Sequence, residues 1–191
     1  MPIGGDPAFG SDPGFEGDLG FDLGVAGLAA QVLGRLRADG VHVAVAESLT
    51  GGLVASTLVA VPGASAVMRG GVVAYATELK SLILGVDGGL LAAHGAVHPE
   101  VARQMAVGVA RLCGAEWGVS TTGVAGPDPQ DGHPPGLVYV AVAGLERGAW
   151  DVQVRGLRLY GDRTAVREAA RDEALVFLAE RLGCVANPVG Q

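Results

Sequence analysis

A single three-layer α/β/α sandwich around a mostly parallel, mixed sheet is the fold class that this sequence of 191 residues predicts. Three observations carry it. The length suits one good core and hardly two. Hydrophobic residues make up 49% of the chain, chiefly Ala, Val and Leu, with only 5% aromatic, a composition for packing by small side chains. Short apolar runs without alternation, as expected of strands covered on both faces, alternate with segments of helical period.

The elements follow in order. Residues 1–24 hold seven Gly, three Pro and the acids Asp6, Asp12, Glu16, Asp18 and Asp22, with no Lys or Arg, and read as a flexible tail. Phe9, Phe15 and Phe21 stand six apart within it, a spacing that also suits a docking motif. The folded domain is expected over 25–185. Val25, Leu28, Ala29, Val32, Leu33 and Leu36 repeat at helical spacing up to Gly40, a helix with a glycine stop. Val41 to Ala46 reads as a buried strand that turns through Glu47-Ser48-Leu49-Thr50-Gly51-Gly52 into a helix.

A second strand is expected over Gly71 to Ala76, running into a helix that starts near Thr77-Glu78-Leu79-Lys80. Pro99 suits the first turn of the next helix, with His98 as its cap and Val101, Met105, Val109 and Leu112 on one face. Trp117 to Thr122 is a third strand, followed by a Gly/Pro/Asp loop to Pro135. Leu137 to Ala143 and Trp150 to Leu157 form two more strands about the Glu146-Arg147-Gly148 turn and predict one antiparallel pair. Asp162 caps a last helix reaching about Leu182.

Charge and cysteine usage narrow the function classes. The net charge of -7 and the absence of a basic cluster give no electrostatic reason to expect nucleic acid or an anionic membrane. No apolar run reaches the roughly 18 residues of a membrane span. Cys113 and Cys184 make no CxxC and no disulfide framework, so a reducing cytoplasm is the simplest location. His94 and His98 are interrupted by Gly95 and Pro99 and lack a completing ligand, so no metal site is expected. Neither GxxxxGK[ST] nor a post-strand GxGxxG is present.

Ligands collect at the carboxyl ends of strands in open α/β sheets, which makes the turns at 47–52, 75–80 and 122–136 candidates for one cleft. Ser48, in a strand-to-helix turn beside the N–H groups of Gly51 and Gly52, is a candidate nucleophile, though capping the helix is the commoner role of such a serine. No histidine offers a triad partner. Of the 13 positive residues, 12 are Arg, and the one Lys is Lys80. A desolvated lysine can accept a serine proton, whereas arginine cannot, so Lys80 is the candidate base and Tyr75 a candidate to orient the pair. The glycines after Thr122, beginning with Gly123, permit close backbone approach to an anion, and Arg163 can pair with a phosphate or carboxylate.

Together, Ala46-Glu47-Ser48-Leu49-Thr50-Gly51-Gly52, Tyr75 to Lys80, His94-Gly95-Ala96-Val97, Thr122 to Pro127 and Gly161-Asp162-Arg163 resemble the motifs of the CinA C-terminal domain family over residues 25–183. The resemblance implies one α/β/α sandwich and hydrolysis of the carboxamide of nicotinamide mononucleotide to nicotinate mononucleotide and ammonia, a step of pyridine nucleotide salvage. It implies Ser48 and Lys80 as the catalytic pair, working without a metal; no cofactor is expected, and substrate contacts are expected from Thr50, Gly51, Gly52, Thr122, Gly123 and Arg163. Full-length relatives carry a further N-terminal domain, so a stand-alone form is expected. Thr77, His98, Pro129-Gln130 and Pro134 stand where the family commonly has Asn, Ser, Gly-Gly and Lys. Two alternatives remain open at this level: a catalytically silent domain that binds a nucleotide or a protein partner, and an amidase for another small amide. A homodimer is compatible with the small apolar surfaces of the helices.

Overall fold

Residue pattern and chain direction together place five strands in the order β2-β1-β3-β4-β5 in the computed structural model, which describes residues 24–184. The strands are β1 (Val43–Glu47), β2 (Met68–Val73), β3 (Trp117–Gly123), β4 (Leu137–Glu146) and β5 (Ala149–Arg158). The helices are α1 (Val25–Asp39), α2 (Leu53–Val59), α3 (Thr77–Leu84), α4 (Gly88–His94), α5 (Pro99–Cys113) and α6 (Arg163–Arg181). The tail expected at residues 1–24, with its phenylalanine spacing, lies outside the described residues apart from Gly24. No helix among the described residues is long and apolar enough to cross a membrane.

The sheet is mixed, as expected, but holds two antiparallel pairs instead of one. β1 pairs in parallel with β2 and β3, and β4 pairs antiparallel with both β3 and β5. Only β4 therefore runs against the others. Its reversal needs just the loop after Gly123, while the β4–β5 turn is a two-residue hairpin at Arg147 and Gly148, with φ of 50° and 84°.

Alternation along the strands builds the two cores. Val43 and Val45 of β1 and Val138, Val140 and Val142 of β4 pack under α1, α2 and α6. On the opposite face Ala44 and Ala46 meet α3 to α5, and Ala141 and Ala143 meet α5. Branched side chains thus fill one face, whereas small ones let α5 lie close on the other. The sheet and α5 come close at Gly118, where a Cβ would stand 2.0 Å from the Ala106 carbonyl oxygen. Ser120 Oγ donates to the Ala102 carbonyl at 2.6 Å beside it. Gly118→Ala is accordingly expected to cost about 3 kcal/mol or more, since backbone must move; an unchanged thermal midpoint would refute the close docking of α5.

Two local expectations need correction. The second strand starts and ends three residues earlier than Gly71 to Ala76, because Ala74 N–H still donates to the Glu47 carbonyl at 2.9 Å while Tyr75 turns outward. Leu112 is 55% exposed and does not join the buried face of Val101, Met105 and Val109. Helix α4, which opens on Gly88-Gly89, carried no expectation from the sequence. Asp87 starts it, accepting from Leu90 N–H at 2.7 Å. His98 and Asp162 cap α5 and α6 as expected, accepting from Glu100 and Ala165 N–H.

Candidate active site

The chain leaves interior strand β1 for β2 by way of α2 on one face, then reaches β3 by way of α3 to α5 on the other. Strand order switches beside β1, and a crevice opens at the carboxyl ends of strands at such a point. Ser48 follows the last residue of β1 and is held from its other side by donation of its N–H to the Thr121 carbonyl of β3 at 3.0 Å.

Lys80 comes in from the second turn of α3, and its Nζ stands 3.1 Å from Ser48 Oγ. The same Nζ donates to the Ala74 carbonyl at 2.7 Å, which fixes the amine between the end of β2 and the serine. Lys80 is 1% exposed and Ser48 9%. Burial lowers the Lys80 pKa to about 8, against the raising fields of Glu78 and Asp131. Near neutral pH an appreciable fraction of this amine is uncharged, with a lone pair free to take a proton from the serine.

Glu47 and Arg167, which sequence reasoning passed over, hold the serine turn. Glu47 is 1% exposed, and its carboxyl oxygens accept from the N–H groups of Gly52 (2.8 Å), Val54 (3.2 Å) and Ala55 (2.8 Å). It caps α2 from the end of β1, a role usually filled by the residue next to the helix. Arg167 donates to the carbonyls of Leu49 (2.9 Å) and Thr50 (3.0 Å) from α6. Its signal was available, because it follows Arg163 by one helical turn on the same face of α6. Glu47→Gln replaces an acceptor by an amide donor facing N–H groups and is expected to cost about 1–3 kcal/mol. An unaltered urea midpoint would exclude that capping role.

The cap corrects the oxyanion donors expected at Gly51 and Gly52. Gly52 N–H is spent on Glu47, and Gly51 N–H on the Ser48 carbonyl at 3.1 Å. Their contribution is backbone conformation, with φ of 60° and 102°. Among the described residues the N–H groups of Leu49 and Thr50 carry no hydrogen-bond partner. They are the open donors beside Ser48.

The other expected contacts divide between scaffold and rim. Thr50 is fully buried, and its Oγ1 shares a hydrogen bond with Thr121 Oγ1 at 2.7 Å. Thr122 Oγ1 donates to the Ala96 carbonyl at 2.7 Å and ties the His94–Val97 segment to β3. Gly123 serves the sheet, since a Cβ there would stand 2.5 Å from the Leu137 carbonyl oxygen. Tyr75 bonds neither Ser48 nor Lys80 among the described residues. Its hydroxyl, on a residue 60% exposed, accepts from Arg163 Nη2 at 2.9 Å, while Arg163 Nη1 donates to the Gly126 carbonyl at 2.7 Å. Arg163 thereby bridges two of the three turns at the rim of the crevice.

Asp131, from the Gly/Pro loop, accepts from Ala96 N–H at 3.4 Å. Its φ of 51° turns the loop back over Gly95, where a Cβ would meet the carboxyl group at 2.8 Å. No group of three or more His, Cys, Asp or Glu among the described residues could hold a metal ion.

Fold and site together define an α/β/α domain with a buried serine–lysine pair at the switch point of its sheet. The CinA C-terminal domain model matches residues 25–182, and the chain belongs to that family. It is similar to a CinA-like protein of Frankia casuarinae, with 48% identity over 160 residues, which cover 84% of this chain and 36% of that protein. A CinA-like protein of an Anaeromyxobacter species is 51% identical over 148 residues, covering 77% and 35%. The chain thus spans about a third of the length of these curated relatives. Among solved structures it resembles a competence/damage inducible protein from Agrobacterium tumefaciens, with a TM-score of 0.77, 36% identity and coverage of 83% of this chain and 95% of that one. A CinA superfamily protein from Klebsiella pneumoniae gives a TM-score of 0.76 at 34% identity, covering 85% and 99%.

Proposed function

We propose that the protein is an amidohydrolase that converts nicotinamide mononucleotide to nicotinate mononucleotide and ammonia. The carrying observation is the 3.1 Å contact between Ser48 Oγ and the buried Lys80 Nζ, whose pKa burial lowers to about 8. Membership of a family that includes such amidohydrolases supplies the substrate class.

In this reading Ser48 Oγ attacks the carboxamide carbon while uncharged Lys80 accepts the serine proton. The carbonyl oxygen takes up negative charge facing the open N–H groups of Leu49 and Thr50. Collapse breaks the C–N bond, and Lys80 returns its proton to the leaving nitrogen, which departs as ammonia. Water then attacks the acyl-enzyme, giving its proton to Lys80; the ester bond to Ser48 breaks, Lys80 passes that proton to the Ser48 oxygen, and the carboxylate is released. Glu47, Thr50 and Thr122 act as positioning residues. Arg163 binds the substrate phosphate at the rim, exchanging a backbone carbonyl for a charged acceptor.

Ammonia release from nicotinamide mononucleotide, nicotinamide riboside and nicotinamide, run in parallel, tests the reading. Turnover of the mononucleotide well above that of the two phosphate-free amides is expected. Binding of the mononucleotide without ammonia release would overturn it.

A further inference from the structure

The crevice attracts negative charge. Lys80 Nζ when protonated, the open N–H groups of Leu49 and Thr50, and Arg163 at the rim all favour an anion. An amidohydrolase needs the opposite at one point, because there its substrate is a neutral carboxamide and its product a carboxylate. Cationic and N–H donors alone would hold the acid better than the amide, and discrimination against the acid calls for a repulsive group.

Two carboxylates have fields that reach Lys80. Glu78 stands two residues before it on α3, whereas Asp131 comes from a separate segment, the loop between β3 and β4. That loop is shaped to present it. Gln130 N–H donates to the His133 carbonyl at 3.1 Å and His133 N–H to the Gln130 carbonyl at 2.8 Å, closing a short antiparallel bridge. Asp131 and Gly132 form its two-residue tip, both left-handed, with φ of 51° and 77°.

Asn-Gly closes such a turn as well as Asp-Gly does, so the turn by itself calls for no charge. The carboxyl group is seated against Gly95, where a Cβ would stand 2.8 Å from Oδ2, and Oδ2 accepts from Ala96 N–H at 3.4 Å. Oδ1 has no hydrogen-bond partner among the described residues. Asp131 and Lys80 form no ion pair there either, so the two charges feel each other while their heads stay apart.

We propose that Asp131 selects the amide over the acid: its free Oδ1 accepts an N–H of the substrate carboxamide and turns that nitrogen toward Lys80, and its charge repels the carboxylate formed once the nitrogen has left. The proposal rests on the amidohydrolase reading of the Ser48–Lys80 pair. When Lys80 protonates the leaving nitrogen, the same carboxylate lies beside the positive charge developing on it.

Isothermal titration of the Ser48→Ala protein with nicotinamide mononucleotide and nicotinate mononucleotide tests the selection apart from that reading, because it needs no turnover. These ligands differ only in amide against carboxylate. The Ser48→Ala protein is expected to bind the amide at least as tightly as the acid. Adding Asp131→Asn, which keeps an acceptor for Ala96 N–H, is expected to shift the affinity ratio about tenfold toward the acid. With Ser48 present, Asp131→Asn is expected to lower kcat/KM for ammonia release about tenfold and to strengthen product inhibition by a similar factor, at an unchanged thermal midpoint. An affinity ratio that Asp131→Asn leaves unchanged would overturn the proposal even where the wild type releases ammonia. A ratio that shifts as expected, in a protein that releases none, would uphold the selection and overturn only the amidohydrolase reading. Binding of neither ligand would overturn both.

Discussion

Ser48→Ala is expected to lower the rate of ammonia release from nicotinamide mononucleotide by about a thousandfold or more while leaving fold and binding intact. The size follows from losing the nucleophile of a covalent mechanism, in which every bond-making step runs through one oxygen. The structural cost is small for a stated reason. The Ser48 hydroxyl has one side-chain partner, Lys80 Nζ, which keeps its bond to the Ala74 carbonyl when the hydroxyl is gone. The turn itself is held by Glu47 and Arg167 through the backbone. The measurement pairs single-turnover ammonia release with isothermal titration of the mononucleotide. Binding within a few-fold of wild type beside a collapsed rate constant is the expected pattern. Turnover surviving in the Ser48→Ala protein would end the covalent mechanism.

Where sequence reasoning succeeded and failed follows from the range of the interactions. Helices α1, α5 and α6 were legible because their periodicity, the stop of α1 at Gly40, and the caps at His98 and Asp162 are encoded within a few residues. Strand β1 was legible because burial of all five residues forbids polar alternation. Edge strand β2 was misplaced by three residues because its burial alternates and its end is set by pairing with Glu47, a contact between distant segments. The same division holds in the site. Ser48 and Lys80 announced themselves, one by its turn and the other by being the single lysine. The commitments of Gly51, Gly52, Thr50 and Thr122 did not, because each is fixed by a partner that only the fold brings near. Glycine-rich turns therefore suggested free donors at two positions where Glu47 and the turn had already taken them. The donors that stay open, at Leu49 and Thr50, sit in the same turn but carry no compositional signal at all.

Lys80 supports the second large effect, and it has two independent readouts. Arginine at this position keeps a positive charge that no accessible pH removes, so Lys80→Arg is expected to lower ammonia release about a thousandfold by removing the base. Lys80→Met, which carries no charge into the buried site, is expected to do the same and guards against misfolding as the cause. In the wild type the productive free enzyme holds Lys80 uncharged, so kcat/KM is expected to rise with pH to a plateau, with a midpoint near the Lys80 pKa of about 8. Below that midpoint it falls about tenfold per pH unit.

Stability gives the other readout, with its own sign. The folded-state pKa of about 8 lies below the ordinary lysine value of 10.5, so between these values the unfolded chain binds more protons than the folded one. The Lys80 contribution to stability therefore rises with pH across that window and is flat below it, for a total on the order of 3 kcal/mol. Denaturant titrations of wild type and Lys80→Met from pH 7 to 10.5 isolate it, since the other titrating groups are common to both proteins. The difference in unfolding free energy is expected to shift toward the wild type as pH rises. A pH-independent difference, with a rate profile lacking a limb near pH 8, would mean that Lys80 keeps an ordinary pKa and is not the base.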